Sequence, residues 1–152
     1  MNIVIATDRT LERLNRLLHG ELLVMETYCA ALSAFVETRL EMALELDTCL
    51  VSHRGRAFRL RELINNLGGL PTDSSASFRG IAQALADVES FLGDDSTIFA
   101  LEDAEEQELH LYRNTVSDLD VPARAVVKYE LLPQQMRTHA SVQLIRQTSR
   151  AC

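Results

Sequence analysis

Gly20–Tyr28 reads GELLVMETY, and Ala104–Tyr112 reads AEEQELHLY. Each stretch has a small residue, then Glu, then Tyr seven residues on: Glu21 with Tyr28, Glu105 with Tyr112. Seven residues are two helical turns, so each Glu shares a face with its Tyr. Around the first stretch, Leu11, Leu14, Leu18, Leu22, Met25, Cys29, Leu32 and Val36 follow helical spacing, with Glu21 on the flank of that stripe. Around the second, Ile98, Leu101, Leu109, Tyr112 and Val116 form the stripe, with Glu105 on it. Two helices that each carry a carboxylate toward a core set the terms for the rest of the chain.

Outward from these helices, helical periodicity dominates and strand alternation is absent. Thr7 or Asp8 can cap a first helix that runs to about Glu37. A second is expected from Leu40 to Leu67, stopped by Gly68-Gly69 with Pro71 beyond. Gly68–Ser77, GGLPTDSSAS, is the clearest loop, and a short helix is expected over Phe78–Leu92. A fourth should run from Thr97 to Asp118. Pro122 suits the first turn of a last helix that reaches Ser149 and kinks at Pro133. This predicts one all-α domain over residues 1–152: a four-helix bundle of two helical hairpins, with an extra short helix in the long crossover.

The 152 residues are 47% apolar and 5% aromatic, with a net charge of -7, enough for one real core and the wrong sign for nucleic acid or an anionic membrane. MNIVIATDRT lacks a basic start and has too short an apolar run for a signal peptide, and no stretch reaches membrane-spanning length, so a cytoplasmic location is expected. Cys29, Cys49 and Cys152 form no CxxC and read as reduced thiols. Cys29 and Cys49 are expected to pack as small hydrophobes.

The return helices supply partners for the two carboxylates. His53 lies among Leu46, Cys49, Leu50, Leu60 and Ile64, and His139 lies in the arc of Leu132, Met136 and Val142. Glu21 and His53 are equidistant from the expected bend near residue 37, and Glu105 and His139 from Pro122. In an antiparallel hairpin such residues lie at one level. Two Glu and two His converging in a core must be paired or bound to metal. Two readings follow. In one, Glu21, His53, Glu105 and His139 bind Fe, Mn or Zn. In the other, they are structural Glu–His pairs that fix the register of a metal-free interaction or stress-related module. Tyr28 and Tyr112 are placed to hydrogen-bond the carboxylates. Glu102 stands one turn before Glu105, Glu26 lies well off the stripe, and Cys49 stands one turn before His53; these are lesser candidates. The run Glu102–Glu108 apart from Glu105 reads as a solvated face. Ser52–Arg56 (SHRGR) has the composition to bind an anion, but beside the net acidity a surface salt-bridge role is the favoured reading. No serine-triad, phosphate-loop or zinc-finger pattern is present.

Leu14–Tyr28, LNRLLHGELLVMETY, resembles the first helix of bacterioferritins, where an LN.LL..EL segment carries a ferroxidase Glu followed by a Tyr. Leu67–Pro71, LGGLP, resembles that family's EGLP turn. The chain as a whole is similar to a bacterial family of small ferritin-like domains of unknown function, in its Glu-x6-Tyr, its GG-x-P loop, its second Glu-rich helix ending in Tyr and its late His. The resemblance implies a ferritin-like fold, iron as the metal, Fe(II) oxidation or handling of O2 or peroxide, and self-association as a dimer or larger. The chain also departs from the pattern. Ferritin-type diiron sites add a Glu-x-x-His from each of two helices. Here Leu50 precedes His53 and Met136 precedes His139. Counted back from Pro71, His53 occupies the place of the family's Glu and Arg56 that of its His.

Overall fold

A computed structural model of the chain describes residues 6–73 and 94–150. All regular structure among them is helical: α1 (Asp8–Phe35), α2 (Leu40–Asn66), α3 (Asp94–Thr115), a 3-10 turn (Val116–Asp118), α4 (Val121–Val126), a π-helical turn (Val127–Leu131) and α5 (Leu132–Arg150). The last three form one rod. The short helix expected over Phe78–Leu92 lies outside the described residues.

Both ends of the first hairpin are built from local chemistry. The Thr7 hydroxyl accepts from the Thr10 amide at 3.2 Å and caps α1. At the end of α2, Gly68 adopts φ +82°, which an L side chain rarely takes. The Gly69 amide then donates to Ile64 O at 2.9 Å and the Gly68 amide to Asn65 O at 3.0 Å. This is a Schellman closure, and it satisfies two carbonyls that the helix end would leave bare.

Cross-helix contacts set the directions. Only residues 36–39 join α1 to α2, and the two pack along each other and meet at Glu21 and His53, so they are antiparallel. Tyr28 meets Glu105 and Tyr112 meets Glu21, so α3 is antiparallel to α1. Hence α2 and α3 run the same way, and the connection from Asp73 to Asp94 joins opposite ends of the bundle. The last rod packs on α3 and α2 and completes a four-helix bundle.

The buried face of α1 is not the expected one. Leu14, Leu18, Glu21, Val24, Tyr28, Ala31 and Phe35 are buried, whereas Cys29 and Val36 are exposed. Glu21 therefore sits at the centre of the face rather than on its flank, and Cys29 is a surface thiol. On the last rod, Leu132 donates its amide to Val127 O, five residues back. This π turn widens the helix just ahead of Pro133, whose ring would crowd the Tyr129 carbonyl of a regular α-helix. The buried face then follows Ala123, Val127, Leu131, Gln135, Thr138, Val142 and Ile145.

The apolar core is in two parts. One holds Leu14, Leu17, Leu18, Leu60, Ile64, Tyr112 and Val127. The other holds Tyr28, Phe35, Leu46, Leu50, Ile98, Leu101 and Val142. Between them lies a layer of polar side chains. Among the described residues, no helix is long and apolar enough to cross a membrane.

Candidate functional site: a buried Glu–His–Arg layer

Four elements supply the layer: Glu21 from α1, His53 and Arg56 from α2, Glu105 from α3, and Gln135 and Thr138 from α5. All but Thr138, at 4%, are fully buried. His53 Nδ1 lies 2.6 Å from Glu21 Oε2, and His53 Nε2 lies 2.8 Å from Glu105 Oε1. The Arg56 guanidinium enters beside them. Its Nε donates to Glu21 Oε1 at 2.7 Å and its Nη1 to Ser52 Oγ at 2.7 Å. Its Nη2 donates to Gln135 Oε1 at 2.8 Å and Thr138 Oγ1 at 3.3 Å. The remaining carboxylate capacity is filled by neutral donors. Tyr112 gives its hydroxyl to Glu21 Oε1 at 2.7 Å, and Tyr28 gives its own to Glu105 Oε1. Gln135 Nε2 donates to Glu105 Oε2 at 2.7 Å, as does the Thr138 hydroxyl at 3.1 Å.

Protonation follows from these contacts. Burial alone would raise the Glu21 pKa, but the charges of His53 and Arg56 and the hydrogen bonds from His53 and Tyr112 hold it below the usual carboxylate range. Burial would lower the His53 pKa. The Glu21 charge and the hydrogen bonds to Glu105 and Glu21 outweigh burial and the nearby Arg56, and raise it. Arg56 Nη2 also lies 2.6 Å from His53 Nδ1. One ring nitrogen cannot accept from Arg56 and donate to Glu21 at once. The upward direction of its pKa favours the imidazolium, which donates from Nδ1 to Glu21 and from Nε2 to Glu105; the Arg56 contact with Nδ1 is then a close approach of two donors and not a hydrogen bond. The Arg56 guanidinium and the His53 ring thus face the carboxyl groups of Glu21 and Glu105. Burial and the adjoining carboxylates push both tyrosine hydroxyls well above their ordinary pKa, so they stay protonated donors.

Sequence and structure differ in what completes this layer. Glu21, His53 and Glu105 meet, with Tyr28 and Tyr112 as their donors. His139 does not join them: it is half-buried, and its Nε2 lies 2.6 Å from Glu106 Oε2 on the flank. The π turn sets Gln135 and Thr138 on the inner face instead. Arg56, expected in a surface salt bridge, is fully buried and pairs with Glu21. Glu102 pairs with Arg146 away from the layer. Glu26 is half-buried near Cys29. Cys49 is buried, and burial first and Glu105 second push its thiol upward, so it is no ready thiolate.

A metal was one of the two expectations, and the donor set does not fit one as arranged. All four carboxylate oxygens and both imidazole nitrogens face protein partners, and a guanidinium, a fixed cation, occupies the space among them. Among the described residues, no group of three or more His, Cys, Asp or Glu side chains is arranged to hold a metal ion.

Glu108, one turn after Glu105, was also missed. It is 3% exposed, and its Oε1 is buried without a hydrogen-bond partner among the described residues. Its carboxyl lies against Gly20, where a Cβ would fall 2.0 Å from Oε2. Burial, with the charges of Glu21 and Glu105, raises its pKa well above 4.5 despite the opposing Arg56. A carboxyl whose folded pKa is raised contributes most below the unfolded value, and that contribution is lost as pH rises toward the folded value. Glu108→Gln should therefore stabilise the fold by about 1–3 kcal/mol at neutral pH. The gain should shrink toward zero as pH falls through 4.5. Paired thermal melts across that range check this; a gain that grows toward acid would overturn the assignment of a neutral buried acid.

Comparison with protein-family models, curated proteins and solved structures finds no match for this chain.

Proposed function

We propose that this chain is a metal-independent helical-bundle interaction module, in which a buried Glu–His–Arg layer holds the helices in register. The observation that carries this reading is the Arg56 guanidinium, fully buried with its Nε 2.7 Å from Glu21 Oε1. It supplies the positive charge that two buried carboxylates require, and does so without an ion. The layer spans all four rods, so any slip of one helix strands a charge between apolar neighbours. The charged side chains of the layer are fully buried, which suits a role in architecture rather than turnover.

The alternative keeps the ferritin-like reading: iron, or Mn or Zn, held by Glu21, His53 and Glu105, with Fe(II) oxidation or O2 and peroxide handling. It rests on the convergence of those three side chains and requires Arg56 to leave the layer. Metal analysis of protein purified without a His-tag separates the two. Expected for the module are metal well below one ion per chain, a melting temperature unchanged by chelator, and Fe(II) oxidation no faster than buffer. Stoichiometric metal that is lost in Glu21→Ala, with oxidation above the blank, would sink the proposal.

A further inference from the structure

Along one side of the bundle, α1 and α3 leave an open groove of about 550 Å³. Its apolar walls are Leu23 and Val24 from α1 and Ala100, Ala104 and Leu111 from α3. Glu108 lines the same groove. Only 3% of that residue is exposed, and its Oε1 is buried without a hydrogen-bond partner among the described residues. Apolar walls around one sunken polar group are the form of a small-ligand site.

Position 20 makes the room for this carboxyl. A Cβ on Gly20 would fall 2.0 Å from Glu108 Oε2 and 2.8 Å from the carboxyl carbon, so any larger residue would push the acid out of its slot. Glycine weakens a helix interior, and a buried polar oxygen without a partner weakens a fold. Both costs fall at one point of the groove, and a ligand that bonds Oε1 would offset them.

The chemistry of that ligand follows from what Glu108 lacks. In the neighbouring layer, the Arg56 guanidinium holds Glu21 at 2.7 Å and turns its other donors to Ser52, Gln135 and Thr138. Glu108 Oε1 has no such cation. Its high pKa, raised first by burial and then by Glu21 and Glu105, agrees with a carboxyl short of positive charge. An anionic ligand would add to the repulsion, and the net charge of -7 favours the approach of cations. The terminal torsion of a Glu side chain is soft, so a small turn presents an oxygen to a ligand in the groove.

We propose that the α1–α3 groove binds a small organic cation, an ammonium or guanidinium on an apolar body, with Glu108 as its counter-charge and Gly20 as the residue that makes the slot. The head group would donate to Glu108 while the body lies on Leu23 and Leu111. The inference is independent of how the buried layer is read.

Calorimetric titration of the full chain with n-hexylammonium chloride tests it, with n-hexanol as the uncharged match. The expected result is one ammonium per chain with a Kd of about 1 mM or tighter, and hexanol at least about tenfold weaker. Glu108→Gln should weaken the ammonium about tenfold or more and leave hexanol unchanged. That variant is expected to melt higher than the parent, so its loss of binding cannot be laid to a damaged fold. Backbone amide shifts on titration should centre on Gly20, Leu23, Ala104 and Glu108. No saturable binding up to about 50 mM, equal affinity for hexanol, or equal affinity in Glu108→Gln overturns the proposal.

Discussion

Arg56→Met is expected to cost about 3–5 kcal/mol of folding free energy, a fall of roughly 10 °C in melting temperature. The reason lies in what is left behind. Glu21 would keep its place between two apolar half-cores with His53 as its only charged partner, and Glu105 claims the same imidazolium. Gln135 Oε1 would also lose its donor. The double variant Glu21→Gln/Arg56→Met removes one charge of each sign and leaves His53 paired with Glu105. It should recover most of the loss, because replacing both members of a buried pair costs far less than stranding one. Chemical denaturation of wild type, both single variants and the double variant yields the coupling directly. If Arg56→Met melts with wild type, Arg56 does not neutralise the layer.

The second expected result is a gain of function. His53 and Arg56 are three residues apart on α2, and Gln135 and Thr138 are three apart on α5. Both pairs face the two carboxylates of α1 and α3. A Glu-x-x-His on each of two helices, with a single Glu from each of the other two, is the dinuclear donor set of helical bundles. Together, His53→Glu, Arg56→His, Gln135→Glu and Thr138→His supply that set without moving a helix. The fourfold variant should bind about two Co(II) ions per chain, where the parent should bind none on the proposed reading, and its melting temperature should rise with added metal. Visible absorption of bound Co(II) reads the result. A variant that folds and binds no cobalt would mean that the four rods are not spaced for a metal pair.

The sequence carries the all-helical organisation and the outline of this layer, for identifiable reasons. Glu21 and Glu105 stand out because a carboxylate within an apolar helical stripe is rare, and the two stretches repeat. His53 follows from its distance to the turn. Arg56 escapes because it closes a short basic run, Ser52–Arg56, that has the composition of a surface segment; its burial depends on a charge partner one helix away. Gln135 and Thr138 escape for a different reason. Apolarity marks burial, and the apolar residue nearby is Met136, which is 46% exposed. Counting along a regular helix from Leu132 through Met136 leads to His139. The π turn adds a residue to the phase, and nothing before Pro133 announces it except the proline. The i, i+3 spacing shared by His53–Arg56 and Gln135–Thr138 was the available signal. Glu108 hides among five acids between Glu102 and Glu108, and only the slot at Gly20 distinguishes it.

The division of the core into two apolar halves bears on how this chain can vary. Side chains packed around Leu17 and Ile64 do not share a cluster with those around Phe35 and Leu101. Substitutions in different halves should then act additively, since coupling requires contact or a shared network. Each half can drift, gain volume or be redesigned on its own account, so long as the side chains between them keep their partners. The molecule is modular along its length, and its modules are half-bundles rather than helices.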